Sequence, residues 1–321
     1  MRSVLALMFA LVMTCLVGAE PLEWSTAQEI PGLKSYYGEV DVVFFDGSLH
    51  VLTADRDHHI IHAQLTDGQW GAPIQLAHHR TRMTPAVTTC DGTMHMVTNP
   101  GSFKLAHSVW DGRTWGEARN IPDMQSGRPV SIAAFDGVIH TAHQGKSSDD
   151  DRILYAANAG WGWGYSLAVP NQKARSNVAL AGLKDTLHMV HVGTQSRALW
   201  HSTRDQWGEW STVVQVPGAE TSRIPDLVTA NGRLYAFYTV GSAKMNTQAS
   251  VSYSVYQDGQ WLPPVTIEGY VSYGRPVVAM EPGLPARIHL LLPTKQGVLH
   301  LHTEGEATLA PMPVKTMKLS N

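Results

Sequence analysis

The chain has 321 residues, 43% of them apolar and 16% charged, with a formal net charge of −3. That apolar share can fill a sizeable core, and the chain is long enough for one large domain or two ordinary ones. The weak charge and the lack of a long basic run exclude electrostatic capture of nucleic acid or an anionic membrane.

The first residues, MRSVLALMFALVMTCLVGAE, have the form of a secretory signal peptide. Arg2 supplies the positive start, the apolar run to Leu16 is too short to span a bilayer, and Val17 and Ala19 satisfy the small-residue rule. Cleavage is expected after Ala19, leaving residues 20–321 as a single secreted domain with no membrane insertion. Thr14 precedes Cys15 where a lipobox calls for Gly, Ala or Ser. After cleavage Cys90 alone remains, so stability must come from packing rather than an internal disulfide.

The rest of the chain repeats. DGSLH ends at His50, DGTMH at His95, DGVIH at His140, KDTLH at His188, NGRLY at Tyr235 and PARIH at His289, in steps of 45, 45, 48, 47 and 54 residues. A second phrase ends in Trp70, Trp115, Trp163, Trp210 and Trp261. A third, Ile121-Pro122, Val169-Pro170, Val216-Pro217 or Ile267, follows the Trp six residues on. Within a unit the apolar period is two, over four short runs separated by Asp-Gly or Asn-Pro-Gly turns. Four strands per repeat of about 45 residues is the pattern of a propeller blade. The sixth unit lacks its closing Trp, and the N-terminal stretch EWSTAQEIPG carries Trp24 with Ile30-Pro31 six residues on. The expected fold is an all-β, six-bladed β-propeller of four-stranded blades, its N-terminal strand closing the last blade.

The repeat-locked tryptophans are expected to pack between blades. The in-register histidines, one per blade, cannot converge on one ion and are expected to be structural, so no metal and no cofactor is assigned. Asp-Gly before each Trp is turn chemistry.

Two features exceed this frame. The first is an aromatic excess: Trp110, Trp161, Trp200 and Trp207 lie off the locked position, with Arg204, Glu209 and other polar residues close by. Aromatic faces dock pyranose C–H faces, and neighbouring polar groups fix the hydroxyls. The second is a set of arginines at blade entry, Arg82, Arg128, Arg175, Arg223 and Arg275. Converging on the central channel, they would bind a carboxylate or sulfate; as scattered loop residues, they would pair with nearby acids.

The stretch LHMVHVGTQSRALWHSTRDQWGEWS, from Leu187 to Ser211, resembles units of the bacterial and fungal propeller lectins of the PLL and fucose-lectin type, within a sialidase-like repeat superfamily. The resemblance implies several glycan sites per ring, set between adjacent blades and lined by Trp, Tyr and Arg; Trp200, His201, Trp207 and Trp210 match best. The copies have diverged, so not every groove is expected to be competent. The function read from the sequence is a non-catalytic, carbohydrate-binding lectin with glycan partners, its site drawn from Trp110, Trp200, His201, Arg204, Trp207, Glu209, Arg128, Arg223 and Arg275. One alternative is a sialidase-like exo-glycoside hydrolase using an arginine-lined axial pocket with Tyr36, Tyr37, Glu39, Asp41, Tyr273 or the acidic loop at Asp149, Asp150 and Asp151. The other is a protein-binding scaffold. SVWDGRTW and SVYQDGQW miss the sialidase box because Asp stands directly before Gly.

Overall fold

The Asp-Gly phrases are hairpin turns. At Asp46-Gly47 φ is 46° and 72°, and the same pair of positive values recurs at Asp91-Gly92 and Asp136-Gly137. This is the two-residue turn whose twist matches its strands, and Asp and Gly are the residues that tolerate it. A computed structural model of the chain describes residues 18–35, 40–147, 149–176, 178–241 and 247–304.

In blade 1 the inner strand Val40–Phe45 pairs with Ser48–Ala54, which pairs with His59–Thr66, and Ile74–Arg80 lies outermost. Blades 2 to 5 repeat this order over 86–125, 131–173, 178–220 and 226–272. Blade 6 takes Val277–Glu281, Arg287–Pro293 and Val298–His302 from the C-terminal part and Gln28–Glu29 from the N-terminal part. Gln28 pairs with His300, Trp24 bridges Thr303, and the Ile30 N–H donates to Val298 O at 2.9 Å. Inner strands of successive blades pack against one another, blade 6 against blade 1 included. The fold is therefore the six-bladed propeller expected from the repeat, closed by its N-terminal strand. Closure leaves no free sheet edge between first and last blades.

The outermost strand departs from the period of two. Ile74–Arg80, Leu167–Lys173 and Val214–Glu220 each bury every third residue, and their register against the third strand shifts midway. A bulge turns the strand so that the Ile or Val before Pro points inward. Ile121, Val169, Val216 and Ile267 are all buried.

The core lies between blades. Six apolar clusters are found among the described residues, each straddling one seam. At every seam a repeat-locked tryptophan meets an aromatic ring of the preceding blade nearly edge-on. Trp163 packs on His107 at 5.5 Å and 90°, Trp210 on Tyr155 at 5.5 Å and 82°, and Trp261 on His201 at 5.3 Å and 85°. Trp70 meets His300 at 5.4 Å and Trp115 meets His62 at 6.4 Å. Trp24 closes the ring against Phe237 at 6.0 Å.

The in-register histidines are the supports of those rings. His50 Nδ1 lies 3.0 Å from His62 Nε2, and the same contact recurs at His95–His107 (3.0 Å), His188–His201 (2.9 Å) and His289–His300 (2.9 Å). In blade 3 the Tyr155 hydroxyl donates instead, to His140 Nδ1 at 2.6 Å, while His140 Nε2 donates to Phe135 O at 3.2 Å. That arrangement fixes the direction of the chain: the inner ring keeps a bare Nδ1 and the outer ring donates to it. The accepting inner ring must then be neutral, and burial favours the neutral form of both. Burial pushes His62, His188 and His289 down to about 4 and His201 and His300 to about 3.

Trp115→Ala should lower stability by about 3–5 kcal/mol, because it opens a cavity at the first seam. Trp161→Ala, at a side chain 97% exposed, should change it by less than about 0.5 kcal/mol; urea unfolding of the two variants checks the contrast. The buried histidines also set an acid limit. The unfolded chain binds protons from about pH 6.5, whereas the folded rings stay neutral until about pH 4. Stability is thus complete above pH 7 and falls between about 6.5 and 4, by up to about 1.4 kcal/mol per pH unit for each ring. Urea midpoints at pH 8, 6 and 5 should drop progressively, and a flat series would show that the pairs are not held neutral.

Candidate functional site

Strand alternation divides the predicted site. In Ala198–Arg204, successive side chains face opposite seams. His201 faces blade 5, 3% exposed and packed on Tyr256 at 5.1 Å and on Trp261. Trp200, Ser202 and Arg204 share the other face; Ser202 donates to Gln172 Oε1 of blade 3 at 2.9 Å. His201 is therefore a seam support rather than a neighbour of Trp200, because one residue of offset moves a side chain through the sheet.

At the seam between blades 3 and 4 stands Arg204. Its guanidinium lies over the Tyr155 ring, 4.8 Å from the centroid. Gly208 also lies close to it: an added Cβ there would stand 2.7 Å from Arg204 Nη2. Among the described residues the guanidinium makes no hydrogen bond or ion pair. Asp205 shapes the hairpin above it: Oδ1 accepts the Trp207 and Glu209 N–H groups, both at 2.9 Å. This sends Trp207 outward, 81% exposed, with Glu209 also exposed. The corresponding hairpin of blade 3 presents Trp161.

The same register position explains Trp110. Met94 pairs with Trp110, Leu187 with Arg204 and Leu234 with Tyr256. Trp110 packs on His50 at 6.2 Å and His62 at 5.6 Å, and Tyr256 packs on His188 at 5.3 Å. In these three of the six seams the position covers the paired rings of the preceding blade, with an aromatic ring on a histidine pair in two and a guanidinium on Tyr155 of the His140–Tyr155 pair in the other; Leu65 and Asn158 stand at the same register in blades 1 and 3.

The blade-entry arginines do not converge. Arg128 donates to Arg175 O at 2.6 Å, and Arg223 donates to Ser272 O at 3.2 Å and Gly274 O at 3.1 Å. Each ties the start of one blade to the backbone at the start of the next. Arg275 alone lines the axial cavity among the described residues. The arginine-lined anion pocket expected for a hydrolase is therefore not what the arginines build. Of the other acids and tyrosines considered, Asp150 pairs with Arg152 at 2.8 Å, Asp151 with Lys173 at 3.3 Å, and the Tyr273 hydroxyl donates to Gln248 at 3.3 Å. Tyr36, Tyr37 and Glu39 lie outside the described residues, as do residues 1–17.

The axial cavity, of about 240 Å³, is ringed by polar clamps between inner strands. Asp41 Oδ2 accepts the Val87 N–H at 2.8 Å, Ser131 Oγ the Leu180 N–H at 3.1 Å, and Asp226 Oδ2 the Val278 N–H at 2.9 Å. Thr88 accepts from Ala134 at 3.1 Å, and Thr229 donates to Gly182 O at 2.6 Å. Arg275 closes the circle on Asp41 Oδ1 at 3.0 Å and Val40 O at 3.2 Å. Burial pushes the Asp226 carboxyl up to about 7 despite the nearby Arg275, and the Asp41 charge adds to the rise. Burial likewise raises Asp41, against the pull of the Arg275 charge.

A second cavity, of about 200 Å³, lies between blades 5 and 6, lined by Leu22, Asn231, Arg233, Tyr235, Ala286 and Glu304 among others. Sequence reasoning missed it. Two signals mark the place: Tyr235 replaces the histidine of the repeat, and the step to His289 is the longest. The ligand-type atoms of Asp55, Asp57 and His59 lie within 4.8 Å of one another, but Asp55 Oδ1 already accepts the Asp57 and His59 N–H groups of its own turn.

No protein-family profile matches the chain, and no curated protein sequence matches it. Solved structures do. The fucose-specific lectin of Aleuria aurantia is 12% identical, with a TM-score of 0.64 over 84% of this chain and 92% of that one. AofleA of Arthrobotrys oligospora, as an arginine-substituted variant, is 13% identical, with a TM-score of 0.64 over 88% and 87%. SapL1 lectin, solved with α-methyl fucoside, is 17% identical, with a TM-score of 0.56 over 83% and 92%. At these identities the likeness is one of fold, and the Aleuria protein is itself described as a six-bladed β-propeller.

Proposed function

We propose that this chain is a secreted, non-catalytic carbohydrate-binding protein, and that a glycan occupies the groove between blades 3 and 4. The observation that carries the reading is Arg204: a guanidinium laid on Tyr155, without a hydrogen bond among the described residues, followed by a hairpin that carries the exposed Trp207 indole. Its planar fork donates to two neighbouring hydroxyls at once, and an indole face receives the C–H side of a pyranose. Glu209 on the same hairpin supplies an acceptor. Two lectins of similar fold, that of Aleuria aurantia and SapL1, are described as fucose-specific or were solved with fucosides, which makes fucosylated glycans the first class to test. The cavity between blades 5 and 6, with Arg233, Tyr235 and Glu304, is a second groove of the same kind. Secretion rests on the N-terminal sequence.

A glycan array on the chain from Glu20 should give specific binding. Arg204→Ala and Trp207→Ala should each weaken it at least about tenfold, or about 1.4 kcal/mol. The Trp207 variant should keep the wild-type urea midpoint, because its side chain is mostly in solvent. Binding that survives both substitutions moves the site elsewhere, and a blank array overturns the reading.

A further inference from the structure

The axial cavity has a charge arrangement that the glycan reading does not use. One guanidinium faces two carboxylates. Arg275, 8% exposed, is engaged with Asp41 Oδ1 at 3.0 Å from the neighbouring blade. Asp226, on the opposite flank of blade 6, makes no ion pair among the described residues; its carboxylate accepts the Val278 backbone N–H at 2.9 Å and the Leu227 backbone N–H. Both carboxylates and the guanidinium line the same cavity of about 240 Å³, together with the Ser131, Thr88 and Thr229 hydroxyls. With both carboxylates ionised, this constellation carries one negative charge in excess.

We propose that the axial cavity binds one compact cation, a metal ion or a small primary ammonium, seated against Asp226 and the side of Asp41 turned away from Arg275. An isolated buried carboxylate is costly unless it is neutralised by a proton or a counter-charge. The raised titration of Asp226 is that cost expressed as proton uptake, and a cation competes for the same place. The cavity is several times the roughly 30 Å³ share of a water molecule, so a hydrated metal ion or an alkylammonium fits. The hydroxyls of Ser131, Thr88 and Thr229 offer neutral oxygens around the remainder of the wall. An anion is disfavoured, because the one guanidinium present is already matched. This proposal stands apart from the glycan site, which lies in an outer groove of other blades.

The test is a thermal titration at pH 8 and constant ionic strength, with calcium chloride, methylammonium chloride and sodium sulfate as separate probes. Cation binding should raise the melting temperature saturably with calcium or with methylammonium, the responding arm naming the source. Sulfate should have no saturable effect. Asp226→Asn should abolish the response. Arg275→Gln, which removes the competing positive charge, should tighten the responding cation at least about tenfold. It supplies an independent reading if the Asn variant fails to fold. A response to neither cation, a response unchanged in Asp226→Asn, or stabilisation by sulfate that Arg275→Gln removes would overturn the proposal.

Discussion

The contact on which this molecule depends is the edge of an indole against a neutral imidazole across a blade seam. A single four-stranded blade has two apolar faces and no interior, so nearly all its burial is shared with neighbours. Each seam therefore needs a feature that fixes how one blade sits on the next. Here Trp163 meets His107 and Trp261 meets His201, and behind each of those histidines stands a second ring, His95 or His188, holding it by a hydrogen bond. The hydrogen bond orients the outer ring, and the indole then packs on a fixed surface. Neutrality is part of the device, because a protonated inner ring could not accept from its partner.

The variations follow from the same requirement. Blade 3 replaces the outer histidine with Tyr155, whose hydroxyl still donates to His140 Nδ1. Blade 5 has Tyr235 and Tyr253 in place of the pair, and there Trp24 packs on Phe237 instead. The Tyr253 hydroxyl, with no imidazole to meet, accepts the Leu22 N–H at 2.8 Å and so helps hold the N-terminal segment that completes blade 6. The departure from the repeat falls beside the seam where the chain must close on itself. That seam also carries the cavity around Arg233 and Glu304.

The blades, their number and the closing strand were legible because each rests on local patterns: alternation, Asp-Gly turns and a Trp at fixed spacing. The outer strand was read with the wrong period because a bulge changes the period without changing the composition. The arginines at blade entry were visible as a set, but the sequence could not say that Arg128 and Arg223 turn toward a neighbour's backbone carbonyls. That depends on loop geometry between blades. The separation of His201 from Trp200 was available in principle, since a strand of period two must send adjacent residues to different seams. Asp41 and Asp226 were harder to single out as a pair, because 185 residues of sequence separate two side chains that the closed ring brings to one cavity.

The register position shared by Trp110, Arg204 and Tyr256 shows how such a scaffold varies a seam without altering its frame. An aromatic ring there covers the histidine pair and dries the seam. A guanidinium covers the tyrosine ring of the 3–4 seam equally well, since a cation lies comfortably on an aromatic face. Yet it keeps its donors, and the hairpin that follows it carries Trp207 into solvent rather than into the seam. A guanidinium at a capping position thus brings hydrogen-bond donors to the seam, while the edge-on indole contact is retained as Trp210 on Tyr155. The repeat supplies the rigidity and the departures from it supply the chemistry, so the residues to examine in such a ring are those at which one blade disagrees with the other five.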